Sequence, residues 1–228
     1  MFKIELHMHT NHVSACSHID AAGLAEEYYK AGYAAVAVTD HYNRDTCGFL
    51  RIDPANPGDF MGAFLDGYRR VRAECAKRGL RVYKGAELRF DECCNDYLLF
   101  GYPDELLAEP EKIFRMGVAA FAPLAREAGA LLVQAHPYRG RCTPAFACYL
   151  DGLEVCNSNP NHQNRNGRAE EYAAQHRLLR LGGSDCHSAE DVGLGGILTE
   201  ELPEDTAGLV RLIRSGAYTV IGAETPAL

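Results

Sequence analysis

The stretch Gly182–Ser188, "GGSDCHS", sets Asp185 and His187 two positions apart, and "ELHMHT", residues 5–10, does the same with His7 and His9. In a β-strand successive side chains point to opposite faces, so residues i and i+2 project together and each pair aims at one small volume. Whether the two pairs meet decides the fold.

Outward from these pairs, short β-like apolar runs recur: "FKIELHMH", "AAVAVTDH", "RVYKGAEL", "DYLLFGY", "ALLVQAHP", "GLEVCN", "RLGGSD" and "AYTVIG". Amphipathic stretches lie between them. "DAAGLAEEYYKAGY" opens on Asp20 as an N-cap, keeps Leu24, Tyr28 and Ala31 at helical spacing and ends at Gly32. "DFMGAFLDGYRRVRAECAKRG" places Phe60, Phe64, Tyr68 and Val71 on one stripe, with Gly79 past its end. "EKIFRMGVAAFAPLAREAG" and "EDTAGLVRLIRSG" are two further helical stretches, the first with a kink expected at Pro123. This alternation, repeated roughly seven times, predicts a parallel sheet with helices outside.

Polar residues choose between a barrel and an open sheet. The predicted strands end in His7 and His9, Asp40 and His41, Glu87, His136, then Asp185 and His187. Ligand sites of α/β folds form at the C-terminal ends of strands, and a barrel brings all these ends to one mouth, whereas an open sheet spreads them along a line. The expectation is therefore a distorted barrel forming a single domain over residues 1–228, a length at which one large core is ordinary.

Composition sets the outer limits. A net charge of −8 gives no electrostatic footprint for long nucleic acid. Nine scattered cysteines without a C-x-x-C pair, and no apolar leader or long apolar run, predict a reduced, soluble, cytoplasmic protein with no membrane association. No exposed apolar stripe names a dimer interface.

Each motif alone is weak. An H-x-H strand can simply be half exposed, Asp40 can be an N-cap, and His136 in "AHP" can be a satisfied core histidine. Glu87 is more telling, because an acid in the otherwise apolar "RVYKGAEL" is costly to bury unless paired or bound to metal. The joint pattern outweighs its parts: five of nine histidines stand at strand ends in the order needed to line one mouth.

With "HMHT", "VTDH", "AHP" and "GSDCH" in order, and Glu87 between the second and third, the chain resembles a PHP domain, the polymerase and histidinol phosphatase family of metal-dependent phosphoesterases. The resemblance implies a distorted, TIM-barrel-like (β/α)7 barrel with two or three divalent ions (zinc, manganese or iron) at its C-terminal mouth, and hydrolysis of a phosphoester. It implies that His7, His9, Glu87 and Asp185 hold one metal, that Glu87 bridges to a second also bound by His136, and that His41 and His187 hold a third with a ligand from the loop "TNHVSACSHID". His18 is the first choice there, with His12 and Cys16 as alternates. Many relatives place a histidine near "NDYLLFG"; this chain has none, and Asp96 is the candidate replacement, its other reading being a strand-start or turn residue.

Mixed imidazole and carboxylate ligands suit zinc, manganese or iron rather than calcium. Two ions about 3.5–4 Å apart can activate a shared hydroxide as nucleophile, so no nucleophilic side chain is needed and Glu87, His136 and Asp185 become the catalytic core. Arg139 in "AHPYRG" is a candidate cation for the phosphate, and in "NSNPNHQNRNG" Asn157 could orient substrate while Arg165 or Arg168 adds charge. Cys186 should face away from Asp185 and His187 as a structural residue. Cys93 and Cys94 lie in a loop without ligand spacing.

The charge favours a small soluble phosphoester as substrate. Histidinol phosphate is the alternative, its imidazole and ammonium then needing acids such as Asp91 or Glu92. A non-catalytic metal-stabilised scaffold and an amidohydrolase are further readings. The last would call for a metal-bridging lysine, and Lys84, three residues before Glu87, faces the other way along a strand.

Overall fold

The computed structural model describes residues 1–222. In chain order it contains β1 (Phe2–Met8), α1 (Ala21–Lys30), β2 (Tyr33–Val38), β3 (His41–Tyr42), α2 (Arg44–Leu50), α3 (Phe60–Phe64), α4 (Asp66–Ala76) and β4 (Arg81–Arg89). There follow β5 (Asp96–Phe100), α5 (Pro110–Met116), α6 (Val118–Glu127), β6 (Leu131–Gln134), β7 (Gly152–Asn157), α7 (Asn166–His176), β8 (Leu179–Gly183), β9 (Ile197–Thr199), α8 (Thr206–Ser215) and β10 (Tyr218–Val220). One sheet runs β10-β9-β1-β2-β4-β5-β6-β7-β8, with β3 added beside β4.

The sheet curls into a distorted, nearly closed TIM-like barrel because β1 pairs on both sides. It is parallel to β2 along one edge, while on the other its first residues pair with β9 and its end meets the chain just beyond β8. There the Cys186 amide donates to the His7 carbonyl at 3.2 Å and the His9 amide to the Cys186 carbonyl at 3.0 Å. This seam tolerates no side chain at Gly183, where a Cβ would overlap that of His7, nor at Gly195, which would overlap the Gly183 backbone.

The expectation of a purely parallel sheet needs correction. β5 runs antiparallel to both β4 and β6, β9 to β1, and β10 to β9. The segment joining β4 to β5 is only residues 90–95, too short for a crossover helix, so β5 must return as a hairpin. Its start, at Asp96, therefore lies at the mouth.

Helix boundaries follow local chemistry. Asp20 caps α1 by accepting from the Gly23 amide at 2.8 Å, and Gly32 follows its end with φ 75°. The helical stretch around Pro123 breaks instead at Gly117, whose φ of 75° and ψ of 160° leave helical space, while Pro123 lies inside α6. The second stretch divides at Leu65 into α3 and α4, and α2 and α7 are helices that periodicity did not mark.

Apolar residues fall into three clusters. One packs β4 to β7 against α3, α5, α6 and α7, with Phe90, Tyr97, Phe114 and Phe121 fully buried. A second joins Ile4, Leu6, Leu98, Val133 and Leu181 to Leu209, Val210 and Ile213 of α8, and a third seats α1 and α4 on β1 and β2. α8 lies at the end away from the mouth, where Arg214 Nη2 donates to the Gly129 and Ala130 carbonyls just before β6. The mouth is left to polar groups. Among the described residues no helix is long and apolar enough to cross a membrane.

Candidate metal centre

The two pairs meet. His7 and His9 from the end of β1, Glu87 from β4, His136 after β6 and Asp185 after β8 converge as buried side chains, with His41 and His187 beside them. Ligand atoms of three groups lie within 4.8 Å of one another: His7, His9 and Asp185; His7, Glu87 and His136; and His9, His41 and His187. Such a span is one that a metal ion can fill.

Glu87 is the hub. Its Oε1 stands 3.0 Å from His136 Nε2 and 3.3 Å from His7 Nε2, and its Oε2 stands 2.8 Å from His41 Nδ1 and 3.4 Å from His9 Nε2. Yet Glu87 Oε2, His41 Nδ1 and His7 Nε2 are buried with no partner in hydrogen-bonding geometry among the described residues. Asp185 Oδ1 lies 3.2 Å from His9 Nε2 and 3.4 Å from His7 Nε2. These imidazole nitrogens and carboxylate oxygens crowd together, some in hydrogen-bonding geometry (His136 Nε2 with Glu87 Oε1, His9 Nε2 with Asp185 Oδ1) and others only facing one another, an arrangement of lone pairs that a cation satisfies. The residues present thus fit divalent metal.

By themselves the acids and imidazoles charge one another: against burial, Asp185, Glu154 and Glu87 hold His7, and Glu87 holds His41, well above the ordinary imidazole range. Burial and then the neighbouring His41 and His187 hold the His9 imidazole well below its ordinary pKa, neutral and able to donate a lone pair. Burial works against ionisation of Glu87, but His7 and His41 outweigh it and hold the carboxyl well below its usual range. Asp185 is likewise held low against burial, by His7, His9 and Arg139.

Outer contacts orient these groups. Glu154 Oε1 lies 2.8 Å from His7 Nδ1, and its Oε2 accepts from the His136 amide at 2.8 Å and from Asn157 Nδ2 at 3.0 Å. Asp40 does not cap a helix. It accepts from the Thr10 amide and hydroxyl and from Ser14 Oγ, at 2.7–2.8 Å, and Ser14 Oγ stands 3.5 Å from His9 Nδ1. Both His136 (φ 27°) and Asp185 (φ 52°) occupy left-handed backbone that L-residues rarely adopt. Strained residues of this kind persist where the surroundings over-determine them.

Other expected residues separate. Cys16 and His18 are both exposed, and among the described residues Cys16 joins none of the ligand groups, although, against the upward push of partial burial, His187 and His41 lower its thiol to about 6. His18 is exposed and meets His187 through its backbone, its amide donating to the His187 carbonyl at 2.8 Å. His12 is half-buried and joins none of the ligand groups. Asp96 does sit at the mouth, 3.9 Å from His136 Nε2, but both its oxygens are taken by Arg89, at 2.7 Å each.

Arg139 is no free rim arginine. Its Nη1 lies 2.6 Å from Asp185 Oδ2, and its Nη2 and Nε donate to Asn157 and Asn164 side-chain oxygens, each at 2.9 Å. Asn157 is buried in this network, with its Nδ2 3.3 Å from Asp185 Oδ2. Arg165 is exposed and held away from the ligands by the Tyr138 carbonyl, and Arg168 stacks on the Tyr138 ring. Cys186 is buried beside α1, away from the ligands on either side of it.

Sequence reasoning missed Glu154, although "GLEVCN" carries the same signal as Glu87: an acid in an apolar strand. Glu5 in "FKIELHMH" carries it too. Asn164 and Ser14 offered no signal, since their roles depend on loops folding back over the mouth.

Comparison with known proteins places this site in a lineage. The PHP domain family model matches residues 5–172, and a PHP-associated model matches residues 163–218. The chain belongs to the PHP domain family. Its barrel is similar to a two-domain protein of Bacteroides vulgatus containing a predicted PHP-like metal-dependent phosphoesterase (TM-score 0.71, 15% identity, 96% of this chain and 64% of that one). It is also similar to a protein of Bifidobacterium adolescentis proposed to be a metal-dependent phosphoesterase (TM-score 0.52, 20% identity, 93% and 96%). A third similar structure is an amidohydrolase of Chromobacterium violaceum holding sulfate and no metal (TM-score 0.53, 16% identity, 96% and 98%). No curated protein matches the chain. Family and donor set together are those of a metal-dependent hydrolase.

Proposed function

We propose that this protein hydrolyses a small-molecule phosphoester with the help of two or three divalent ions, zinc, manganese or iron. The observation that carries the proposal is the hub itself: a buried carboxylate, Glu87, touched by four imidazoles, with an oxygen that no donor among the described residues satisfies. His7, His9, Glu87 and Asp185 would hold one ion, Glu87 with His7 and His136 a second, and His41 and His187 with His9 beside them a third. Ions so held supply Lewis acidity and lower the pKa of bound water toward neutrality, which removes the need for a nucleophilic side chain.

The chain's own residues do the positioning. Glu154 fixes the His7 ring and the His136 backbone, the Asp40–Ser14 pair supports His9, and Arg139 holds one Asp185 oxygen while leaving the other toward His7 and His9. Outer partners of this kind set ligand orientation and basicity. The net charge of −8 favours a small anion neutralised by metal over a long polyanion.

Two narrower readings lose support. Asp91 is paired with Arg44 at 2.7–2.8 Å, and Glu92 accepts from the Val118 amide at 2.7 Å, so the acids on which recognition of histidinol phosphate leaned are engaged. Lys84 is paired with Asp104 and lies over the Tyr102 ring, and is not positioned as a metal-bridging lysine.

The test is elemental analysis of protein purified without chelator, together with hydrolysis of aryl phosphate mono- and diesters and an amide panel before and after metal stripping. Two or three equivalents of metal, with ester turnover lost on stripping and restored on repletion, is the expected result. Metal-dependent turnover of amides alone would overturn the phosphoester reading. Metal-replete protein inert on every ester would leave the scaffold role in its place.

A further inference from the structure

A group of thiols on the His136 side of the mouth plays no part in the ligand set. Cys93 and Cys94 lie between β4 and β5, and Cys142 lies in the loop after His136. Cys94 Sγ and Cys142 Sγ are 3.6 Å apart across 48 residues of sequence, and the Cys142 thiol also donates to the Cys94 carbonyl at 3.2 Å. From this juxtaposition we propose that Cys94 and Cys142 are a reversible oxidation site, joined by a disulfide when the protein meets a peroxide-class oxidant.

The approach is fixed by neighbours on both strands of chain. Asn95, next to Cys94, donates from Nδ2 to the Thr143 carbonyl at 2.9 Å and accepts from the Thr143 amide at 3.3 Å, and Thr143 is next to Cys142. Gln134 reinforces the same segment, donating to the Thr143 carbonyl at 2.9 Å and accepting from the Ala145 amide at 2.8 Å. Two segments clamped at adjacent residues cannot easily drift apart, so the thiols remain opposed. Forming the bond needs the sulfurs to close by about 1.5 Å, a shift that loop side chains can accommodate.

The chemistry balances with one peroxide. The exposed Cys94 sulfur attacks the O–O bond, becoming a sulfenic acid and releasing one water. Cys142, less exposed, then attacks that sulfur; its proton and the sulfenic hydroxyl leave as a second water. Two thiols are oxidised to one disulfide and the peroxide is reduced to water. Thiol–disulfide exchange with a small dithiol reverses the step.

The bond would tie the start of β5 to the loop that carries Arg139. The Cys142 amide donates to the Arg139 carbonyl at 2.8 Å and the Arg139 amide to the His136 carbonyl at 3.0 Å, so the cross-link fastens a chain of turns ending at the site.

The test uses the whole native protein treated with hydrogen peroxide, then alkylated, digested without reductant and sequenced by fragmentation. A Cys94–Cys142 cross-link is expected, with loss of those two alkylatable thiols and their return after dithiothreitol. Cys93→Ser should leave the cross-link intact, whereas Cys94→Ser and Cys142→Ser should each abolish it in protein that keeps its far-ultraviolet spectrum. If Cys142 stays fully alkylatable while Cys94 is over-oxidised, or if Cys93 takes the bond instead, the proposal is wrong. The readout is independent of turnover, so failure here would leave the hydrolase reading untouched.

Discussion

Two buried glutamates, Glu5 and Glu87, sit at opposite extremes of how a protein treats an interior carboxylate. Glu5 is enclosed by donors: its Oε1 accepts from the Leu6, His7 and Ser184 amides at 2.9–3.0 Å, and its Oε2 accepts from the Ser184 hydroxyl at 2.7 Å and the Tyr28 hydroxyl at 3.1 Å. Among the described residues Glu87 has no backbone amide on its carboxylate, only imidazoles, and one of its oxygens is orphaned. Burial raises the pKa of Glu5 despite its donors, whereas the crowd of histidines drives Glu87 the other way. A carboxylate that pins the fold is closed by the chain, and one that works is left open for something the chain does not supply.

That contrast can be broken or sharpened by substitution. The largest effect should come from Glu87→Gln, expected to reduce ester turnover by a factor on the order of 10³ or more and to lower bound metal, with the metal-free protein still folded. Steady-state rates and metal analysis on the same preparation check this, and a variant with normal turnover would remove Glu87 from the mechanism. Glu5→Ala should behave in reverse. Orphaning three buried amides should cost about 3 kcal/mol or more in urea unfolding, while metal content at low temperature stays near that of the parent.

Smaller changes should grade the space between them. Glu154→Ala, which releases His7 and the His136 backbone, should weaken metal binding roughly 10–100-fold in chelator competition while retaining the same stoichiometry at saturation. Arg139→Gln, removing a charge-assisted contact to Asp185, should cost about tenfold in kcat/KM. If Arg139 instead served only the substrate, the loss would fall on KM with metal affinity unchanged. Asp96→Asn should be the mildest, about 1 kcal/mol in stability: Asp96 is buried, but the amide keeps its shape and Arg89, 37% exposed, can turn to water. A drop in metal stoichiometry in that variant would show that Asp96 leaves Arg89 to bind metal.

Much of the site is legible because strand periodicity is rigid. In "ELHMHT" the two-residue spacing of His7 and His9 requires that they share a face, and an acid inside "RVYKGAEL" demands a partner wherever the strand lies. Glu154 carries the same signal in "GLEVCN", but an acid inside a strand, away from its end, does not by itself point to the mouth. The loop residues were not legible: where Cys16 and His18 come to lie depends on a path through "TNHVSACSHID" that no period constrains, and both end exposed. The hairpin direction of β5 followed from a linker length that local apolar patterning does not weigh.

The sequence by itself determined the ordered set of candidate ligands, the alternation of strands and helices, and a net charge of −8, because these depend on residue identity and local spacing alone. Only the tertiary structure decided that Arg139 serves Asp185, that Asp96 is already paired with Arg89, and that Cys94 faces Cys142. Each of those pairings joins segments with no fixed register between them, and such contacts are set by how the whole barrel closes.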